Sequence, residues 1–215
     1  MLNYQPRIRN HHKYLSFDNA TSKKLYEIFI KNDNRPVHEK TVQNWFNQEL
    51  DWNGIYVSTA QLTRNAYLLQ TQFKLTHNIL PTNDKLYVWK VIERPHCICG
   101  VVDTNIHFVV QCKLIRPFWQ KVQNFSKSII NVSLPIEDNH LFFGVPNPFD
   151  LVDIDAINFI FLVAKVFIWK EKRLGKPCTM YDFIPFLNEQ LLLETSSKLF
   201  KIKLHIVKLS EQLLV

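Results

Sequence analysis

The residues of this chain best suited to chemistry lie in one short stretch, PHCICGVVDTNIHFVVQC. Between Pro95 and Cys112 it holds three of the four cysteines and two of the eight histidines. Cys99, His107 and Cys112 form a C-x7-H-x4-C run. Thiolates with an imidazole suit zinc, whose filled d-shell imposes no geometry and which usually takes four ligands in a structural site. Two residues compete to be the fourth. Cys97 is the stronger donor, although Cys97-Ile98-Cys99 is a tighter bite than the gap usual in zinc hairpins. His96 keeps the commoner two-residue gap to Cys99, and Gly100 lets the backbone turn back toward the metal. Thiolate strength ranks the set Cys97, Cys99, His107, Cys112 first, with His96 as the alternative to Cys97.

Other uses of these residues compete with zinc. Cysteine is among the most buried residue types, and the cluster could simply pack against Trp119. A catalytic zinc would keep an open position and need a general base, and the only acid inside the stretch is Asp103. A redox pair would use a C-x-x-C gap that Cys97 and Cys99 lack. The expected ion is therefore a structural Zn2+, and no catalytic residue is assigned. The sequence also has no phosphate-binding glycine loop, no H-E-x-x-H, no G-x-S-x-G and no adjacent aspartate pair. His11 and His12 read as solvated, the Asp153 and Asp155 carboxylates as helix N-terminal charge, and Cys178 as a packed thiol.

The elements that must position the cluster are helical. Only four glycines occur in 215 residues, 47% of them hydrophobic, which disfavours both a glycine-rich nucleotide fold and a sandwich of tight turns. Leu25, Ile28 and Phe29 predict a helix over 19–30, and Val42, Trp45, Phe46 and Leu50 another over 37–50. Leu62, Ala66, Leu69, Phe73 and Leu80 predict one long helix over 58–79, stopped by Pro81. Thr82 or Asn83 then caps a short helix with Leu86, Tyr87 and Trp89. Beyond Cys112, Pro117 opens a helix whose apolar stripe is Phe118, Val122, Phe125 and Ile129, with Trp119 at its edge.

SLPIEDNHLFFGVPNPFD, residues 133–150, carries three prolines and a glycine and reads as a linker. An apolar helix over 153–174 follows, ended by Gly175 and Pro177, and a last helix over 180–214. The fold expected is all-α: an N-terminal helical segment (1–57), helices with a small Cys/His zinc-knuckle-like segment (58–132), the linker (133–150), and a second lobe of two long helices (151–215). Ile154–Trp169 is interrupted by Asp155, Asn158 and Lys165 and falls short of the ~20 apolar residues a membrane span needs. It is expected to be a buried core helix, and no membrane partner is expected. The charged N-terminus lacks the apolar core of a signal peptide, so the expected compartment is cytoplasmic or nuclear.

Lys and Arg outnumber Asp and Glu by seven, a bias compatible with a polyanion partner. Between Asp103 and Glu137 there is no acid, while Lys113, Arg116, Lys121 and Lys127 fall inside that interval. These four are the candidate phosphate contacts, with RNA or DNA as the partner class.

FKLTHNILPTNDKLYVWKVI, then the Cys/His run, then KLIRPFWQKV, resembles the C-terminal region of LINE-type non-LTR retrotransposon reverse transcriptases. The likeness is strongest over about 62–122. It rests on Lys74, His77, Pro81, Thr82, Asn83, Leu86, Trp89, the zinc-knuckle-like cluster and Trp119, in that order. It continues weakly through FLVAKVFIWKEKRLGKPCTMYDFI, and departs from the family pattern at the first ligand, where the gap to the second cysteine is short. The resemblance implies a fragment of a transposable-element reverse transcriptase that engages RNA and docks on a parent-type polymerase body. The family's paired catalytic aspartates and its endonuclease are not in the sequence, so the expectation is a non-enzyme with no small-molecule substrate. The alternative is a structural or protein-interaction remnant that buttressed the polymerase.

Overall fold

The computed structural model describes residues 7–10, 13–16, 37–46, 49–129, 135–147 and 151–194. The helix expected over 19–30 lies outside them, as do His11 and His12. The chain divides into two compact units, Met1–Val37 and His38–Val215. The first contains a small antiparallel hairpin, β1 (Arg7–Asn10) and β2 (Lys13–Ser16), in which Arg7 is opposite Ser16. Among its described residues the second unit is all-α. In order come α1 (Val37–Phe46), α2 (Trp52–Leu62), α3 (Ala66–Thr76) and the short α4 (Asn83–Val88). A π-helical turn (His107–Gln111) follows, then α5 (Arg116–Ile129), α6 (Asp138–Phe143), α7 (Val152–Arg173) and α8 (Met180–Leu193).

α7 is the axis of this unit. Every residue from Ala156 to Trp169 is buried, and α2, α3, α5, α6, α8 and the π-turn all pack against it. A helix apolar on every side must be covered on every side, so the expectation of a core helix is met. No helix among the described residues is long and apolar enough to cross a membrane. Its C-terminal end is closed by Gly175 at φ +66, with Lys176 N–H donating to Glu171 O at 2.9 Å. The last-turn cations lie on rings: Lys170 on Phe186, Lys172 on Phe108 and Arg173 on Trp169.

Three expectations need correction. The single helix over 58–79 is two. Thr63 is extended, its hydroxyl bonds the Glu194 carboxylate, and the Asn65 side chain accepts from Tyr67 N–H at 3.0 Å to start α3. Thr and Asn side chains compete with helical backbone for such bonds. The break resets the helical phase, so α3 buries Leu68, Thr71, Gln72, Leu75 and Thr76, while Phe73 is exposed.

The segment over 133–150 is not a divider between lobes. It contains α6, whose Leu141, Phe142 and Phe143 are buried, and residues 38–215 form one unit. Phe142 and Phe143 meet Trp45, Phe46 and Trp52 edge-on or tilted, at centroid distances of 5.5 to 6.0 Å. Pro135 and Pro146 bracket a buried aromatic plug. The last helix ends at Leu193, with Glu194 extended; the remainder of the helix expected over 180–214 lies outside the described residues.

Lys165 sits inside this core at 2% exposure, and its Nζ donates to Phe142 O at 2.8 Å, holding the carboxyl end of α6 against α7. Burial lowers its pKa from 10.5 to about 7. Because the folded pKa lies below the unfolded one, the unfolded chain binds more protons between these values, and stability rises with pH across that window. Below pH 7 the cost of charging the buried amine is fully present. Urea unfolding of wild type and Lys165→Met is expected to show wild type gaining stability relative to the variant from about pH 7 to about 10; parallel pH profiles would contradict it.

Candidate metal centre

The cluster is built from two local devices. The first is a turn over Cys97–Gly100, in which Gly100 N–H donates to Cys97 O and Cys97 N–H to Val101 O, both at 2.8 Å. Gly100 takes φ +91, a conformation rarely adopted by a residue with a Cβ. Around this turn the chain pairs with itself at His96 and Val102, and Asp103 N–H donates to Pro95 O at 2.8 Å. Ile98 stands at the tip, 91% exposed, and leaves both flanking thiols on the inner side.

The second device is the π-turn. On an α-helix, at about 100° per residue, His107 and Cys112 would project about 140° apart. The wider π-turn, closed by Cys112 N–H donating to His107 O at 2.9 Å, brings them back to one side. Trp119 pins it, its indole N–H donating to Val109 O at 2.6 Å.

The ligand atoms of Cys97, Cys99, His107 and Cys112 all lie within 4.8 Å of one another. Cys97 Sγ is 3.8 Å from Cys112 Sγ, and Cys99 Sγ is 3.2 Å from His107 Nε2. A tetrahedron with metal–sulfur arms of about 2.3 Å has edges of about 3.8 Å, so these four residues are compatible with a metal site. His96 is not among them. It is exposed, its backbone is paired with Val102, and its carbonyl accepts from the Asn83 amide at 3.0 Å. The tight Cys97-Ile98-Cys99 bite works because a turn, not a longer loop, folds the two thiols together.

No protein-family model matches this chain, and no curated protein matches it.

The electrostatics grade the four groups. Burial pushes the Cys97 thiol up to about 11, with nearby Cys112 adding to it and the Cys99 amide and Lys172 opposing it. Burial also works against ionising Cys99. There it is outweighed by hydrogen bonds from the Val101 amide and the Cys97 and Cys112 thiols, and by the charge of Lys113, so that thiol is held below its ordinary value. Burial and the charge of Lys172 hold His107 below the usual imidazole range, against Asp103. This favours the neutral ring that binds metals.

Several supporting residues had no motif to announce them. Lys172 of α7 reaches Asp103 Oδ1 at 3.4 Å and Phe108 O at 3.3 Å, and rests 3.9 Å from the Phe108 ring centroid. Asp103 is thus the inner half of an ion pair rather than a base facing a reactant. Thr82 does not cap α4 with its hydroxyl, which instead bonds Asp84 Oδ1 at 2.6 Å and Asn105 Oδ1 at 2.8 Å. Lys85 Nζ donates to Asn78 Oδ1 at 3.0 Å. With Asn83 on His96, this ties the LPTND segment to the cluster. Buried polar residues with no sequence spacing of their own could have been signalled only by their clustering at Pro81–Asp84.

Of the four expected phosphate contacts, Lys113, Lys121 and Lys127 are exposed. Arg116 is also exposed but forms a two-pronged ion pair with Asp138, at 3.0 and 2.8 Å. Trp119, Phe118 and Phe125 are buried, Trp119 at 1% exposure. Trp119 is therefore a core residue, not the edge of the stripe.

Replacing Cys97 with Ser is expected to lower bound divalent metal sharply, and His96→Ala to leave it unchanged, as read by elemental analysis of the purified chain. Loss of metal in His96→Ala alone would reverse the ligand assignment.

Proposed function

We propose that this chain is a non-catalytic nucleic-acid-binding module with a structural zinc ion, similar in kind to the C-terminal region of a LINE-type retrotransposon reverse transcriptase. The observation that carries it is the surface around the cluster: an acid-free run from Thr104 to Ile136, on which Lys113, Lys121 and Lys127 are exposed. Zinc is favoured among metals because three thiolates and one imidazole at tetrahedral spacing match its preferences, and hard oxygen-seeking ions do not take such a set.

Exposed aromatic and basic residues follow one another at and beyond the end of α4, with Glu93 among them. Tyr87 and Trp89 are exposed, Trp89 at 55%, and are followed by exposed Lys90 and Arg94. These rings, rather than Trp119, are the ones able to stack on unpaired bases, while the lysines hold phosphate. Arg116, already held by Asp138, serves the fold before it serves a ligand. The zinc ion would lock the turn, the π-turn and α5 into one rigid platform, at a binding free energy that doubles as folding free energy.

The second proposal is the remnant that docked on a polymerase body. An uncovered apolar face over Ile154–Trp169 would have favoured it, and that face is buried in the core. What favours it instead is the exposed apolar group Val88, Val91 and Ile98 beside the cluster.

Single-stranded RNA affinity measured against salt decides between them. Three lysine contacts predict a log–log slope of about −2, at about −0.7 each. Lys121→Gln and Lys127→Gln are each expected to reduce its magnitude by about 0.7, with Arg116→Gln doing little. Trp89→Ala should cost about 1–3 kcal/mol at every salt concentration. A flat salt dependence would sink the phosphate contacts.

A further inference from the structure

A cleft of about 530 Å³ opens between α2, the α6–α7 connection and α7, away from the metal centre. That volume lies within the range of small-molecule sites. Its walls include Leu50, Ile55, Leu62, Phe143, Val145 and Leu162, and its lining reaches two deeply buried polar side chains, Lys165 and Gln72. Neither is fully used. The Gln72 amide nitrogen donates to Thr76 Oγ1 and to Phe142 O, both at 3.2 Å. The Phe142 carbonyl can only accept, so the bond to it fixes which end of the amide is nitrogen. Gln72 Oε1, on a residue 3% exposed, is left with no partner. Lys165 Nζ donates to the same Phe142 O at 2.8 Å, and an amine has further hydrogens to give.

The shared Phe142 carbonyl keeps these two groups together, so the floor offers one donor beside one unpaired acceptor. An unpaired buried amide oxygen costs free energy that a bound group can recover. The upper part of the cleft is acidic: Glu49 and Asp51 are exposed and Asp155 half-buried, against the single lysine below. Phosphates and carboxylates are repelled there. Asn158, which lines the same cleft, is held by the Val145 backbone, its amide oxygen accepting from Val145 N–H at 2.6 Å and its amide nitrogen donating to Val145 O at 2.8 Å. It shapes the wall in a fixed orientation.

We propose that this cleft binds a small neutral molecule of the lactam or carboxamide class, its carbonyl accepting from Lys165 and its adjacent N–H donating to Gln72 Oε1. The site is separate from the Cys/His cluster and from the proposed nucleic-acid contacts, and it adds a small-molecule ligand where the sequence led only to the expectation of no small-molecule substrate. The apolar walls cover the rest of the molecule, and the paired floor groups set its orientation.

Saturation-transfer NMR on the full chain tests this, with uracil, 2-pyridone and nicotinamide as probes at millimolar concentration. At least one should receive saturation. 1,3-Dimethyluracil, which has lost its N–H groups, should bind roughly tenfold more weakly than uracil, the effect of one unmade hydrogen bond to a buried group. Orotate, the same ring with a carboxylate, should also bind more weakly. Gln72→Met and Lys165→Met should each weaken the probe that binds, with metal content and helical circular dichroism unchanged. Should Lys165→Met fail to fold, Gln72→Met and the dimethylated ring still decide. Saturation of none of the three probes would mean the floor holds water alone, and equal binding of uracil and its dimethyl form would mean apolar filling alone; either overturns the proposal.

Discussion

The burial of α7 on all sides is the constraint on which the rest of this structure depends. A run of fourteen consecutive buried residues, Ala156 to Trp169, cannot be satisfied by one neighbouring helix, so the chain wraps it with five helices and the π-turn. Two lysines on this helix mark where the wrapping becomes specific. Lys165 and Lys172 are seven residues apart and therefore share a stripe, about 10 Å apart along the axis. Each ends on a backbone carbonyl of a covering element: Lys165 on Phe142 of α6, Lys172 on Phe108 of the π-turn. Polar bonds made from an apolar helix fix the position of its cover in a way that dispersion contacts alone do not.

The Cys/His cluster follows from the same geometry. Lys172 holds the π-turn and Asp103 from below, and Trp119 holds Val109 from the α5 side. The turn carrying Cys97 and Cys99 is tied down separately, through Asn83 and the Thr82, Asp84 and Asn105 bonds. Two halves of the ligand set thus sit on two independently supported pieces of chain. A metal ion bridging them would join α4 to α5 without either helix having to bend.

Departures from the sequence expectations share one cause, which is that local pattern and tertiary use compete. Helical spacing of Leu62, Ala66, Leu69 and Phe73 is real, but Thr63 and Asn65 have partners in Glu194 and Gln190 more than a hundred residues away, and those bonds break the helix. The segment 133–150 carries three prolines, yet Leu141, Phe142 and Phe143 between them are too apolar to stay in solvent. Arg116 falls in an acid-free run of sequence and meets its acid, Asp138, only in space. Trp119 looks like an aromatic at the edge of a stripe and is a hydrogen-bonded core residue.

Legible in the sequence alone were the helical class, the buried character of the segment around Val163, the helix that starts at Arg116 and Pro117, and the candidacy of Cys99, His107 and Cys112 as metal ligands. Those follow from composition, periodicity and spacing, which are local properties. The tertiary structure places Cys97, and not His96, beside the other three groups, because that depends on which side of a turn each residue leaves, and both spacings are chemically acceptable. It also decided that one basic residue of four is already partnered, and that Lys165 and Gln72 meet at the floor of a cleft. Such facts depend on distances between segments far apart in the chain, and no spacing within a segment encodes them.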